Sequence, residues 1–284
     1  MKALRPFRGN RGTTLIELLI ALVLTGIVVL SVMKLYATQH ENYIVQDDVA
    51  AMQQSARACI DELTRQIRMA GHHLPLGLPA VVAANTDPDT ITITYHGNDC
   101  ETYLSDPMPN TSAELKCATD IHCFDDDQWV YIYDPDSATG EWFQISEVQA
   151  DAFHIQHRYD PKELSRAYDS DALLFALNRL KFFIDNTTNP DNPTLMVQFG
   201  FDPPVAYAEH ISDLQFRYRL ANGTIVDQPV LVTDVREVLI ELTAESIAPE
   251  FDEDGNVIDF DNPEAPDRKG RTYTSSVSLR NLGV

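Results

Sequence analysis

One carboxylate stands where carboxylates are expensive. Glu17 lies near the start of residues 15–33, which are otherwise apolar, small or hydroxyl-bearing. An acid inside an apolar run of that length is costly in a bilayer and marks function. Its chemistry there is to pair with a cation or accept hydrogen bonds. A second group, Asp252, Asp254 and Asn256, has the alternating oxygen ligands of a calcium loop. That match is partial: the glycine is Gly255 rather than two residues later, and Pro263 occupies the twelfth position in place of an acid. Asp-Gly-Asn is also a tight-turn sequence. Asp125, Asp126 and Asp127 form a smaller acidic group that reads as a solvated loop.

Four cysteines, Cys59, Cys100, Cys117 and Cys123, suit an oxidising compartment. They allow three pairings, and Cys117–Cys123 is the closest in sequence. A zinc site is the rival reading, but no CxxC knuckle is present. Of eight histidines, His72 and His73 follow a helix end and read as carbonyl caps, while His154 and His157 sit in a strand pattern. No GxSxG, GxxxxGK[ST], HExxH or GxGxxG occurs, so no catalytic constellation is expected.

The elements around Glu17 have a clear order. Lys2, Arg5, Arg8 and Arg11 precede the apolar run with no acid among the first 12 residues. Positive charge before an apolar span holds that end in the cytoplasm, which sends the rest of the chain across the membrane. Residues 15–33 are long enough to cross a bilayer as a helix. An ordinary secretory signal has a shorter apolar core with the cleavage site after it. An uncleaved signal anchor is the plain reading of the span alone.

Residues 13–74 contain no proline before Pro75. Beyond the span, Val45, Val49, Met52, Ala56, Cys59, Ile60, Leu63, Ile67 and Ala70 recur in steps of three and four, the stripe of an amphipathic helix. Arg65 and Arg68 with the following Gly71 form a stop signal. One helix over 13–70 would be about 87 Å long at 1.5 Å per residue. After Gly71 the pattern turns to strands: 90–95, then 129–133, 142–145 and 152–159 as a meander, 180–184 with 195–199, 214–220 with 235–242, and 273–279. Residues 97–127 and 246–271 read as long polar loops. The expected fold is α+β, a long amino-terminal helix packed on an antiparallel sheet head.

The chain holds 43 acidic and 21 basic residues among 284, a formal charge of −22. Without the first 12 residues that charge becomes −26. Such a surface argues against direct binding to nucleic acid, which needs clustered Lys and Arg. It favours solubility, cations or a basic partner.

The amino-terminal sequence Arg8-Gly-Asn-Arg-Gly12-Thr13-Thr-Leu-Ile-Glu17 resembles that of type IV prepilins and type II secretion pseudopilins. The resemblance implies cleavage by a prepilin peptidase between Gly12 and Thr13 and methylation of the new amino terminus at Thr13. It also implies that Glu17 guides subunit docking by pairing with an amino terminus. Thr13 departs from the phenylalanine usual in the family. The resemblance divides the chain into a leader, 1–12, a membrane or filament-core half of the helix, 13–36, an amphipathic half, 37–71, and a periplasmic head, 72–284.

Arg57 with Leu63, then Ile67-Arg68-Met69-Ala70-Gly71, resembles the helix end of PilW-like minor pilins. Ile211-Ser-Asp-Leu-Gln-Phe-Arg-Tyr218 and Arg271-Thr-Tyr-Thr-Ser-Ser-Val-Ser-Leu-Arg280-Asn281 resemble strands of the same group. The implied role is structural: a minor subunit of an inner-membrane priming complex, carried to the pilus or its tip. The implied partners are other minor pilins, the major pilin, the prepilin peptidase, the inner membrane and the pilus assembly platform. The J-type pseudopilins of type II secretion share this layout. A tip adhesin using the long loops and a signal-anchored periplasmic enzyme are the remaining readings. No cofactor is expected beyond calcium at Asp252, Asp254 and Asn256.

Overall fold

A computed structural model describes residues 14–158, 164–190, 192–229, 234–246 and 270–279. The proline-free start forms one helix, α1 (Leu15–Met69). Contacts divide the chain into one unit containing residues 1–48 and 248–266 and another containing 49–247 and 267–284. Of the first unit, the described residues are the helix as far as Asp48 and its cap. There the apolar side chains are exposed all round: Leu15, Leu22 and Leu30 are 79, 65 and 72 % accessible. By length and composition this stretch can cross a membrane.

In the second unit, α1 shows the expected stripe. Met52, Ala56, Cys59, Leu63, Ile67 and Ala70 are buried, and Val49 and Ile60 pack against the same core. The helix stops because Gly71 adopts φ of +80°, a left-handed conformation free of a Cβ clash. The Gly71 N–H then donates to Thr94 O at 3.0 Å and the His72 N–H to Met69 O at 3.1 Å. His72 and His73 therefore do not cap through their rings, as the sequence suggests. The backbone does that, and the two imidazoles stack at 4.2 Å.

Fifteen strands follow among the described residues: β1 (Val81–Ala84), β2 (Thr90–Tyr95), β3 (Glu101–Tyr103), β4 (Leu115–Lys116), β5 (Trp129–Asp134), β6 (Thr139–Gln149), β7 (His154–His157), β8 (Leu173–Phe175), β9 (Asn178–Asp185), β10 (Thr194–Phe199), β11 (Val205–Ala208), β12 (Ile211–Leu220), β13 (Ile225–Val226), β14 (Val235–Glu245) and β15 (Gly270–Ser278). They form three antiparallel sheets, with strand orders β1-β2-β9-β10-β11, β13-β12-β14-β15 and β3-β8-β5-β6-β7-β4.

The first two sheets share one core with the helix stripe. Alternating residues supply it: Ile91 and Ile93 of β2, Leu180, Phe182 and Ile184 of β9, Leu214, Phe216 and Tyr218 of β12, and Val238, Ile240 and Leu242 of β14. This period of two is what a half-buried strand requires. A buried carboxylate ties the two sheets. Asp89 accepts the Phe216 N–H at 2.8 Å and the Thr86 N–H at 3.0 Å. Burial pushes its pKa up against the pull of those two bonds.

The third sheet closes on itself. Its end strands β3 and β4 meet through the Leu104–Cys117 bridge. The Ser105 N–H donates to Lys116 O at 2.8 Å and the Ala118 N–H to Tyr103 O at 2.9 Å. Leu104, Leu115, Val130, Ile132, Phe143, Ile145, Ile155 and Leu174 fill the interior. The stretch 97–127, read as loop from sequence, thus holds the two short strands that complete this small barrel. The expected 142–145 strand is longer, Thr139–Gln149, because a register shift between Ile145 and Glu147 lets β6 pair with β5 at one end and β7 at the other. At its start Gly140 lies so close to β5 that a Cβ would sit 2.2 Å from Ile132 O.

Candidate assembly site

The helix start around Glu17 is the site with the most chemistry in the sequence, and its local geometry is well defined. Thr14 occupies the N-cap of α1 and Glu17 the third helical position. The Thr14 N–H donates to Glu17 Oε2 at 2.9 Å, and the Glu17 N–H donates to Thr14 Oγ1 at 3.4 Å. This is a reciprocal capping box. It satisfies two donors that a helix start otherwise leaves open, a need made acute in lipid, where no water can take their place. The negative carboxylate also sits at the positive end of the helix dipole. The Thr-x-x-Glu spacing of Thr14 and Glu17 is the sequence signal for this box.

The hydroxyls farther along are handled in the same way. Thr25 Oγ1 donates to Ala21 O at 2.7 Å, and Ser31 Oγ to Ile27 O at 2.9 Å. Each hydroxyl from Thr14 to Ser31 is thereby paired within its own helix, as an apolar solvent demands. What remains outward is hydrocarbon: Leu18, Leu19, Leu22, Val23, Val29 and their neighbours. A surface of this size, exposed in the isolated chain, requires a bilayer or other subunits around it.

Gly12 and Thr13, the expected cleavage and methylation positions, lie outside the described residues. So do Asp252, Asp254 and Asn256 of the calcium reading, most of the 246–271 loop, and the Arg280-Asn281 ending. Among the described residues no group of three or more His, Cys, Asp or Glu side chains is placed to hold a metal ion.

The cysteines resolve differently from their sequence spacing. Cys100 pairs with Cys123, with Cα atoms 5.7 Å apart, rather than Cys117 with Cys123. Cys117 bridges to Leu104 in the barrel wall, and its N–H is held by Phe153 O at 2.7 Å, which leaves its thiol among the core side chains. Cys59 and Cys117 are both free and buried. Burial pushes each thiol pKa up to about 12, so both are poor nucleophiles.

The acidic group 125–127 is structural rather than merely solvated. Asp126 Oδ1 accepts the Val148 N–H at 2.7 Å, and Asp127 pairs with Arg158. His154 faces Glu114 at 3.4 Å, and His157 Nε2 contacts Ala113 O at 3.1 Å, so both histidines fasten the β4 neighbourhood.

Residues 7–33 match the family model described as the prokaryotic N-terminal methylation motif. No curated protein matches the chain.

Proposed function

We propose that this chain is a minor type IV pilin of the PilW-like group, a structural subunit of an inner-membrane complex that primes pilus assembly. The methylation motif supports the broader statement, a type IV pilin-like or pseudopilin protein, and points to a structural subunit rather than an enzyme. The observation that carries the reading is the match over residues 7–33 on a helix start whose apolar side chains are exposed and have no partner among the described residues.

On this reading a prepilin peptidase removes residues 1–12 and Thr13 becomes a methylated, positively charged amino terminus. The chain stays anchored in the inner membrane by 13–36 with its head in the periplasm, and later joins the pilus or its tip. Glu17 then serves twice. It caps its own helix through Thr14 and offers its charge to an amino terminus during docking. In a low-dielectric setting such a pair is strong enough to fix register. The head supports a minor role. A barrel beside a helix-covered pair of sheets is bulky to repeat at every filament position.

Mass spectrometry of the mature chain tests the reading. A chain beginning at methylated Thr13 is expected. A chain that keeps Met1, or one that begins beyond residue 33, overturns it. Co-purification then separates the finer alternatives: other minor pilins and the major pilin for a pilus, type II secretion components for a pseudopilin.

A further inference from the structure

The three sheets end in different ways. The barrel has its end strands joined through Leu104 and Cys117. The first sheet ends on β1 and β11, four residues each, and β11 carries a register shift and follows Pro203-Pro204. In the second sheet one edge, β13, is two residues long. The other edge, β15, has nine residues and pairs with β14 from Glu237↔Ser278 to Glu245↔Gly270 without a shift. Short strands, bulges, prolines and lysines are the usual means of blunting an edge. β15, Gly-Arg-Thr-Tyr-Thr-Ser-Ser-Val-Ser, has no proline, no lysine and no shift, and its one charge, Arg271, stands at its start, away from 272–278.

The direction of its backbone follows from one bond. The Leu279 N–H donates to Arg236 O at 2.9 Å. In an antiparallel ladder this sets the alternation: 273, 275 and 277 turn their N–H and C=O toward β14. Thr272, Thr274, Ser276 and Ser278 therefore turn theirs outward, and the same four residues are exposed. Among the described residues no strand pairs with that side. A row of outward donors and acceptors at this spacing, about 20 Å long, matches one kind of ligand, another extended backbone.

We infer that β15 is a docking edge that accepts a strand from a different polypeptide. A second copy of this chain is disfavoured, because each carries a formal charge of −22. The chemistry instead selects an extended segment of a neutral or basic protein. On the helix side its residues would continue the layer of Tyr273, Ser275 and Val277. That layer is anchored by the contact of Ser275 Oγ with Thr64 Oγ1 at 3.3 Å. On the other side they would meet the hydroxyls of Thr272, Thr274 and Ser276. The inference stands on the sheet alone and survives a failure of the Thr13 test.

Residue-resolved amide exchange tests it on the full chain. In detergent, with the chain alone, amides of Thr272, Thr274, Ser276 and Ser278 should exchange fast and those of Tyr273, Ser275 and Val277 slowly. In protein gently extracted from membranes with its associated proteins, the four outward amides should slow at least tenfold. Outward amides that stay fast after such extraction, or a chain that extracts alone, overturn the inference. So do outward amides already slow in the isolated chain, which would mean that the chain covers its own edge.

Thr274→Pro removes an outward donor and spares the bonds to β14. It should cut recovery of the associated protein at least tenfold with Tm nearly unchanged, and full recovery overturns the inference. Should this variant fail to fold, Thr274→Lys with Ser276→Lys must give the same loss of recovery.

Discussion

The two ends of α1 follow the same helical geometry and bury opposite amounts. From Met52 to Ala70 the apolar residues lie on one stripe, and Ala56, Cys59, Leu63 and Ile67 are fully buried. From Leu15 to Tyr36 they lie on every face and remain exposed. The first pattern is a contract with the chain's own sheets. The second is a contract with a solvent or partner outside the chain. Apolar content therefore does not tell core from membrane. The angular spread of that content around the helix does.

The sharpest way to break this comparison is to remove the same side chain at both ends. Leu63→Ala should destabilise the protein by about 2–5 kcal/mol, the range for a buried leucine. Leu22→Ala should cost less than about 0.5 kcal/mol, as at an exposed position. Thermal unfolding of both variants in one detergent checks the pair, and equal losses would sink it.

A charge should reverse the ranking. Ile27→Lys should weaken membrane insertion by about 3 kcal/mol and leave Tm of the head unchanged. Carbonate extraction measures the first effect and calorimetry the second; an unchanged membrane fraction would contradict the span.

At Glu17 the comparison becomes finer, because cap and charge can be separated. Glu17→Gln keeps a capping box and removes the charge. It should lower incorporation into filaments and leave amide exchange at residues 15–18 unaltered. Glu17→Ala should lower incorporation and also loosen the first turn by about 1 kcal/mol. Normal incorporation of the glutamine variant would confine Glu17 to capping.

The smallest effects lie in the head, away from the apolar contrast, and differ in sign. Asp185 is held below its usual range, first by the Thr188 hydroxyl at 2.6 Å and then by Thr187 and two backbone N–H groups. The stability it lends is present above the ordinary carboxylate range and lost as pH falls through the depressed value. Asp89 is raised by burial. Its folded form keeps a proton longer than its unfolded form, so its contribution falls as pH rises from the ordinary carboxylate range through the raised value. Tm against pH for Asp185→Asn and Asp89→Asn should show these opposite slopes relative to the parent. Parallel curves would refute the assignment.

Long patterns were legible in the sequence and short ones were not. The helix stop at Gly71, the 90–95 strand, the meander around β5, β6 and β7 and the β9–β10 pair all appear where periodicity places them. The strands Leu115–Lys116 and Ile225–Val226 have too few residues for any period to show. Leu115–Lys116 exists because the barrel must close. In the assembly site, the basic leader, the acid at Glu17 and the Thr-x-x-Glu spacing are contiguous, so one reading frame contains them.

By itself the sequence determined what neighbouring residues decide: an apolar helix able to span a membrane, its cap, its stripe, its stop and the methylation motif. These depend on turns of three and four residues and on local charge. Tertiary structure alone decided the partners of distant residues. It joined Cys100 to Cys123 and left Cys117 in the barrel wall, and it put Asp89 beneath Phe216. It also left β15 as the long open edge among the described strands. Such pairings depend on which strands become neighbours, and that is settled by closing a barrel and covering two sheets with one helix.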